Sequence, residues 1–298
     1  MESIISKILN IPELEYLFDN NDINKYYQCS EFVKSKKFTH LQKCIINTRK
    51  YNILNKYIKI YLKYNIEELN KINDEGWTAL MLAVRNSNTL STEKTVKILL
   101  KYSPDINIRT KDNITALILA VINSNQSSTL KTVHMLLKNG ANINIKYKNM
   151  SSLFLSCINS NCSSNEETVK LLLKYKANAN EYINYKSILE ICYDLYKYNK
   201  ININILAWLI LYGARINTIS NDIDFIKKIS NINFIKEYKN NLFKYIQINK
   251  INIYNSNCIN CDYINVKGIF CKYEYFTCLQ CLLKTENFKC SCILCNNI

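Results

Sequence analysis

Eight of the 13 cysteines in this chain fall between residues 258 and 298: Cys258, Cys261, Cys271, Cys278, Cys281, Cys290, Cys292 and Cys295. Their spacing is C-x2-C-x9-C-x6-C-x2-C-x8-C-x-C-x2-C. A two-residue gap lets both thiolates of a tight turn reach one ion at about 2.3 Å, and eight thiolates supply two tetrahedral sets. The chemistry this pattern implies is structural zinc, two ions, in a compartment that keeps thiols reduced. A segment this short holds little core, so metal binding would supply its folding energy.

The rest of the chain says what could carry such a module. Its 298 residues suffice for two or more domains, and 48% hydrophobic with 21% charged residues is a globular composition. Only 4 Gly and 2 Pro occur, which argues for helices over a turn-rich β-sandwich. The longest apolar run, "ILAWLILYGA", is too short to span a membrane and reads as a buried helix. The start, "MESIISKILNIPELEYLF", lacks the basic beginning of a secretory signal. The expectation is an intracellular protein without a membrane segment, placed in a host cytoplasm by the viral resemblance given below. The other five cysteines are scattered, and Cys157 and Cys192 sit at core positions of their segments.

Side-chain catalysis finds no footing. There is no Gly-rich phosphate loop, nucleophile elbow or carboxylate pair, and His40 and His134 are the only histidines. The formal charge of +15 permits a nucleic-acid partner. Lysine is spread along the whole chain, however, without a dense tract, so the charge reads as compositional and nucleic acid as a less favoured partner.

Three segments align: "TALMLAVRNSNTLSTEKTVKILLKYSPDIN", "TALILAVINSNQSSTLKTVHMLLKNGANIN" and "SSLFLSCINSNCSSNEETVKLLLKYKANAN", ending at Asn107, Asn144 and Asn180. A weaker copy ends at Asn217 and a half-copy at Asn70, so successive copies lie 36 or 37 residues apart. A fixed period in this range signals a solenoid. Ala79, Leu80 and Ala83 give a short helix a small-residue face, and Val96, Leu99 and Leu100 form the inner stripe of a second helix. Gly140 and Gly213 share one repeat position, where a left-handed helix cap suits glycine. One such pair cannot bury its own apolar face; stacked pairs can.

These residues resemble the ankyrin family. Its G-x-T-P-L-H opening appears as Gly76-Trp77-Thr78-Ala79-Leu80, and its V-x-L-L-L-x-x-G-A-x-x-N close as "TVHMLLKNGANIN". The Pro and His that follow Thr in the family are replaced by Ala and by Met or Ile, which predicts irregular helix and hairpin ends. The period exceeds the family's usual one because "NSNTLST", "NSNQSST" and "NSNCSSN" enlarge the loop between the two helices. That loop is either a binding rim or a lineage trait without a ligand. Degenerate repeats in an Asn/Ile/Lys/Tyr-rich chain are similar in style to ankyrin proteins of giant DNA viruses of the mimivirus kind, with poxvirus-like families as a second possibility.

The cysteine module resembles a RING finger in the order of its ligands. The resemblance implies cross-bracing, with Cys258, Cys261, Cys278 and Cys281 around one zinc and Cys271, Cys290, Cys292 and Cys295 around the other. Cys290 substitutes for a ligand that "CKYEYFTC" does not offer. RING fingers recruit a ubiquitin-conjugating enzyme, and Ile259 matches the apolar contact residue usual between the first two cysteines. No Trp lies between Cys281 and Cys292, and Asn296 stands where a cation is common.

The fold expected is therefore mostly α: a helical cap over residues 1–54, about four ankyrin repeats over 55–217, a helical cap and linker over 218–257, and the zinc module over 258–298. In the linker, Ile223, Ile226, Ile229, Phe234, Leu242 and Ile246 suggest one or two amphipathic helices, either a cap or an adaptor-binding pair. The function expected is protein–protein interaction. The repeats would hold a protein target on their concave face, and the RING-like tail would recruit a conjugating enzyme, making the chain an E3-ligase-like substrate receptor. The alternative is a non-catalytic scaffold with a purely structural zinc module.

Overall fold

The computed structural model describes residues 38–215, 219 and 222–237, with three strands further on. They divide into two compact units after Ala177.

The first unit is four helix pairs in series. The inner helices are α1 (His40–Ile46), α3 (Ala79–Arg85), α5 (Ala116–Ile122) and α7 (Ser152–Ile158). The outer helices are α2 (Leu54–Tyr64), α4 (Glu93–Leu100), α6 (Leu130–Lys138) and α8 (Glu166–Lys174). Each inner helix packs on its own outer helix and on the next inner one, and the outer helices pack in the same order. The pairing thus begins at His40, inside the stretch expected as a cap.

Local sequence explains each helix start. Thr78, Thr115 and Ser151 cap the inner helices by accepting from the N–H three residues on, at 3.2, 3.3 and 3.2 Å. Thr92, Thr129 and Asn165 do the same for the outer ones. Thr39 adds a capping box, in which Gln42 reaches back to the Thr39 N–H at 3.1 Å. The irregular ends expected from the missing Pro do not occur at these helix starts. Ala at the first helical position serves as well as Pro, because the N–H there has no intrahelical partner in any case.

Helix ends are equally periodic. Ser103, Gly140 and Lys176 occupy one repeat position in the first unit, and all have positive φ (52°, 86° and 65°). The turn demands the left-handed region, and only one of the three is the residue that adopts it freely.

In the second unit a two-residue hairpin, β1 (Tyr182–Ile183) with β2 (Lys186–Ser187), leads into α9 (Ile188–Lys197), followed by α10 (Ile203–Leu211) and α11 (Ile223–Ser230). Helix α10 is the expected buried apolar run, and Phe234 stacks on its Trp208 at 4.1 Å. Phe225, on α11, is buried against Tyr193. Leu242 and Ile246 lie outside the described residues. Strands β3 (Tyr254–Ser256), β4 (Val266–Phe270) and β5 (Phe276–Cys278) form an antiparallel sheet in the order β3-β4-β5.

Candidate functional site

An interaction surface on a solenoid is useful only if the repeats beneath it hold still. Two hydrogen-bond ladders do that here. The first crosses the interhelix loops. Arg49, Asn88 and Asn125 N–H donate to the carbonyls of Leu90, Ser127 and Ser163 in the next loop, at 3.2, 3.0 and 3.0 Å. Beside them runs a buried hydroxyl ladder. Thr48 lies 3.2 Å from Ser91 and 3.0 Å from Thr95; Ser87 lies 3.4 Å from Ser128 and 2.8 Å from Thr132; Ser124 lies 3.1 Å from Ser164 and 2.8 Å from Thr168. Ser160 comes next in the series Ser87–Ser124, and its buried hydroxyl has no hydrogen-bond partner among the described residues.

Each loop is also tied to itself. Asn86, Asn123 and Asn159 amides donate to the carbonyl four residues back, at 3.0, 2.8 and 2.8 Å. Ser91, Ser128 and Ser164 N–H return to those asparagines' carbonyls at 2.9 Å. The extra residues in each copy are therefore spent on joining repeats. Within these loops Ser87, Ser91, Ser124, Ser128 and Ser164 are buried in the stack, while Asn88, Thr89, Asn125, Gln126, Asn161 and Cys162 are exposed.

The second ladder joins the hairpins. Asn70 and Asn107 accept from the N–H of Asp105 and Asn142 in the following copy, at 2.9 and 2.8 Å, and in the second unit Asn180 accepts from Arg215 at 2.8 Å. This gives the closing Asn of these three copies a shared role. Gly76 (φ +81°) sits where a Cβ would meet the Thr110 Cα at 3.0 Å, so the hairpin tips approach backbone to backbone. Asn113, at the same repeat position in the next copy, keeps a positive φ of 64°.

The inner helices contribute little to the surface. Ala79–Val84, Ala116–Val121 and Ser152–Cys157 are buried without a break, and Leu82, Leu119 and Leu155 are 0%, 2% and 4% exposed. Six consecutive buried residues cover a helix on every side. The inner helices α3, α5 and α7 present the half-buried Arg85, Ile122 and Ile158, and α1 the half-buried His40 and Lys43. The hairpins are exposed at their tips, as at Asp74, Lys111, Asp112, Lys148 and Asn149, and on their arms at Ile72, Arg109 and Lys146.

Outside the ladders, Glu93 links neighbouring outer helices, accepting from Thr129 at 2.7 Å and pairing with Lys131 at 2.7 Å. Burial pushes its carboxyl pKa up, but those two hydrogen bonds outweigh it and leave the group below the usual carboxylate range. His134 is exposed, as its repeat position predicts, with its ring edge to Tyr175. Cys157 and Cys192 are fully buried core residues, as expected. Among the described residues no His, Cys, Asp and Glu side chains gather as a metal site, and no helix is long and apolar enough to cross a membrane.

Of the expected zinc ligands, Cys278 ends β5. Cys258, Cys261, Cys271, Cys281, Cys290, Cys292 and Cys295, together with Ile259, lie outside the described residues. Strands β3 and β5 both run antiparallel to β4: Ser256 pairs with Val266, the first residue of β4, and Cys278 with Gly268, its middle residue.

Helix pairs joined through hairpins, repeating every 36 or 37 residues, define an ankyrin-repeat stack. Residues 41–147 and 90–185 match the family described as Ankyrin repeats, in three copies. That segment is related to ankyrin repeat proteins of Acanthamoeba polyphaga mimivirus. One is 37% identical over 112 residues, covering 34% of this chain and 17% of the relative. Another is 37% identical over 110 residues, covering 36% of this chain and 19% of the relative. The chain thus spans under a fifth of the length of these relatives. As a class of fold, ankyrin repeats are protein-binding scaffolds.

Proposed function

We propose that this protein is a substrate receptor, in which the ankyrin repeats hold a protein target and the cysteine-rich tail binds two zinc ions and recruits a ubiquitin-conjugating enzyme. The observation that carries the receptor half is the pair of hydrogen-bond ladders, which fix successive hairpin tips in register. With the inner helices covered, the target sits against the tips rather than deep on the concave face. A preorganised surface loses little entropy on binding.

The tail's donor set suits zinc: eight thiolates, with three C-x2-C pairs. The strand directions support the grouping: β3, which precedes Cys258 and Cys261 in the chain, and β5, which ends in Cys278, run the same way, opposite to β4, which precedes Cys271. The first four would form one site, and Cys271, Cys290, Cys292 and Cys295 the other. Zinc bound there supplies folding energy and no reactive group. Ile259 would contact the conjugating enzyme. Catalysis would be by proximity, with the enzyme's own thioester reacting with a bound target. Given its relatives, the setting for this activity is the cytoplasm of a virus-infected host cell.

A second reading is favoured by two absences in the tail: no Trp between Cys281 and Cys292, and Asn296 in place of a cation. It is a non-catalytic scaffold whose zinc module only folds. Autoubiquitination by the purified chain, with a panel of conjugating enzymes, decides between them. Chains that disappear in the Ile259→Ala variant support the receptor. No chains with any enzyme, from protein carrying two zinc equivalents, leave the scaffold.

A further inference from the structure

Lysine is scattered in the sequence, but the fold gathers it. Lys59, Lys97, His134 and Lys170 share one repeat position on α2, α4, α6 and α8. Lys63, Lys101, Lys138 and Lys174 share another, four residues on. Lys56, Lys94 and Lys131 lead the same helices three residues earlier. Residues three and four apart lie on one helix face, so the three columns form a single surface. All are exposed except the half-buried Lys170.

Little on this surface neutralises it. Lys131 pairs with Glu93 at 2.7 Å, and Lys170 with Glu167 at 3.7 Å. Lys56, Lys59, Lys94, Lys97, Lys101 and Lys138 make no ion pair with the described residues. At its first corner the surface dips into a cavity of about 250 Å³, lined by Asn52, Ile53, Asn55, Lys56, Lys59 and Lys94.

We propose that this outer-helix face binds the phosphate backbone of duplex nucleic acid without reading its sequence. Neighbouring helix axes lie about 8–10 Å apart, so four helices span roughly 30 Å. Along each helix the lysines recur about every 5 Å. A duplex carries one charge per about 1.7 Å of axis, so a strip this long faces many phosphates at once. The cations are lysines, point charges that bind phosphate without the planar fork that makes arginine selective.

Other polyanions fit less well. A single strand needs free aromatic faces to stack its bases. Of the tyrosines bordering the strip, Tyr102 bonds the Lys59 carbonyl at 2.8 Å and Tyr175 meets the His134 ring, while Tyr64, 66% exposed, offers one stacking face where a strand needs a row of them. A membrane surface calls for apolar anchors among the cations, and the three columns contain none. The inference is independent of the zinc module and of ligase activity.

The test is fluorescence anisotropy of a labelled mixed-sequence duplex with the full chain, across a salt series. Two variants lose the same charge: Lys97→Gln/Lys101→Gln/Lys138→Gln on the strip, and Lys71→Gln/Lys111→Gln/Lys148→Gln on the hairpins of the same unit. All six sites are exposed, and such substitutions scarcely move stability. The strip variant is expected to bind at least about tenfold more weakly near physiological salt and to lower the log–log salt slope by about 3, whereas the other stays within about twofold. Equal losses in both variants would overturn the proposal. So would an absence of duplex binding at low salt, or binding confined to phosphatidylserine vesicles.

Discussion

The repeat stack and the cysteine-rich tail solve the same problem by different means. Neither contains enough local structure to stand alone. An ankyrin pair has helices of seven to eleven residues, shorter than an isolated helix needs to persist in water. The stack obtains its order from repetition: each pair covers the next, and the Ser/Thr and Asn ladders fix the register between them. The tail is short, and the three strands described in and just before it have three to five residues, but it has eight thiols. One region is held by many weak contacts spread over the chain, the other, on our proposal, by two ions.

That contrast fixes what should break each region. The largest effect expected is chelation. Structural zinc is worth about 10–16 kcal/mol in small modules, so a strong chelator should unfold residues 258–298 while the helical signal of the stack persists. Hydrogen exchange followed by mass spectrometry, region by region, reads this directly. A stack that loses protection together with the tail would break the comparison.

In the stack, the greatest single loss should come from the covered inner helices. Leu119→Ala removes a side chain 2% exposed and should cost about 2–5 kcal/mol in urea unfolding, with zinc content unchanged.

The hydroxyl ladder gives a matched pair. Ser124→Ala takes a partner from the Ser164 hydroxyl and from Thr168, which keeps Asn165, and should cost about 1–3 kcal/mol. Ser160→Ala removes a hydroxyl that makes no hydrogen bond among the described residues and should be neutral or slightly stabilising. Comparable losses at both sites would mean that the ladder is not what joins the repeats.

Smallest are the turn positions. Gly140→Ala meets nothing within 4 Å and should cost only the left-handed backbone penalty, about 1–2 kcal/mol. Gly76→Ala adds an overlap with the Thr110 backbone and should cost more. Lys176→Gly should gain about 0.5–1 kcal/mol, because Lys now occupies a φ of 65° that glycine adopts freely. Differential scanning calorimetry of the three variants ranks them.

Much of this was legible in the sequence because a repeat states its own rules several times. The period, the helix pair, the left-handed caps at Gly140 and Gly213, and the burial of Cys157 and Cys192 all follow from aligning the copies. What was missed is equally specific. The first helix pair begins at His40 but keeps few of the consensus residues in its second helix, where Tyr57 and Tyr61 stand in place of Thr95 and Leu99, so only its closing Asn70 was recognisable. The interhelix loops, polar and rich in Ser and Asn, look exposed in one dimension. Nothing local says that Ser87, Ser124 and Ser128 point inward, since their partners lie about 40 residues away. For the tail, spacing alone proposes the ligand set, and the strand directions support how it divides.

By itself the sequence determined the units: which residues start helices and which turns need a left-handed residue. These are properties of neighbours along the chain, set by capping, φ preference and loop closure over a few residues. Only the tertiary structure decided what faces what. Residues 37 apart become neighbours when helices stack about 10 Å apart. That contact turns separate serines into a buried ladder, and it turns lysines with no pattern in the chain into one basic face.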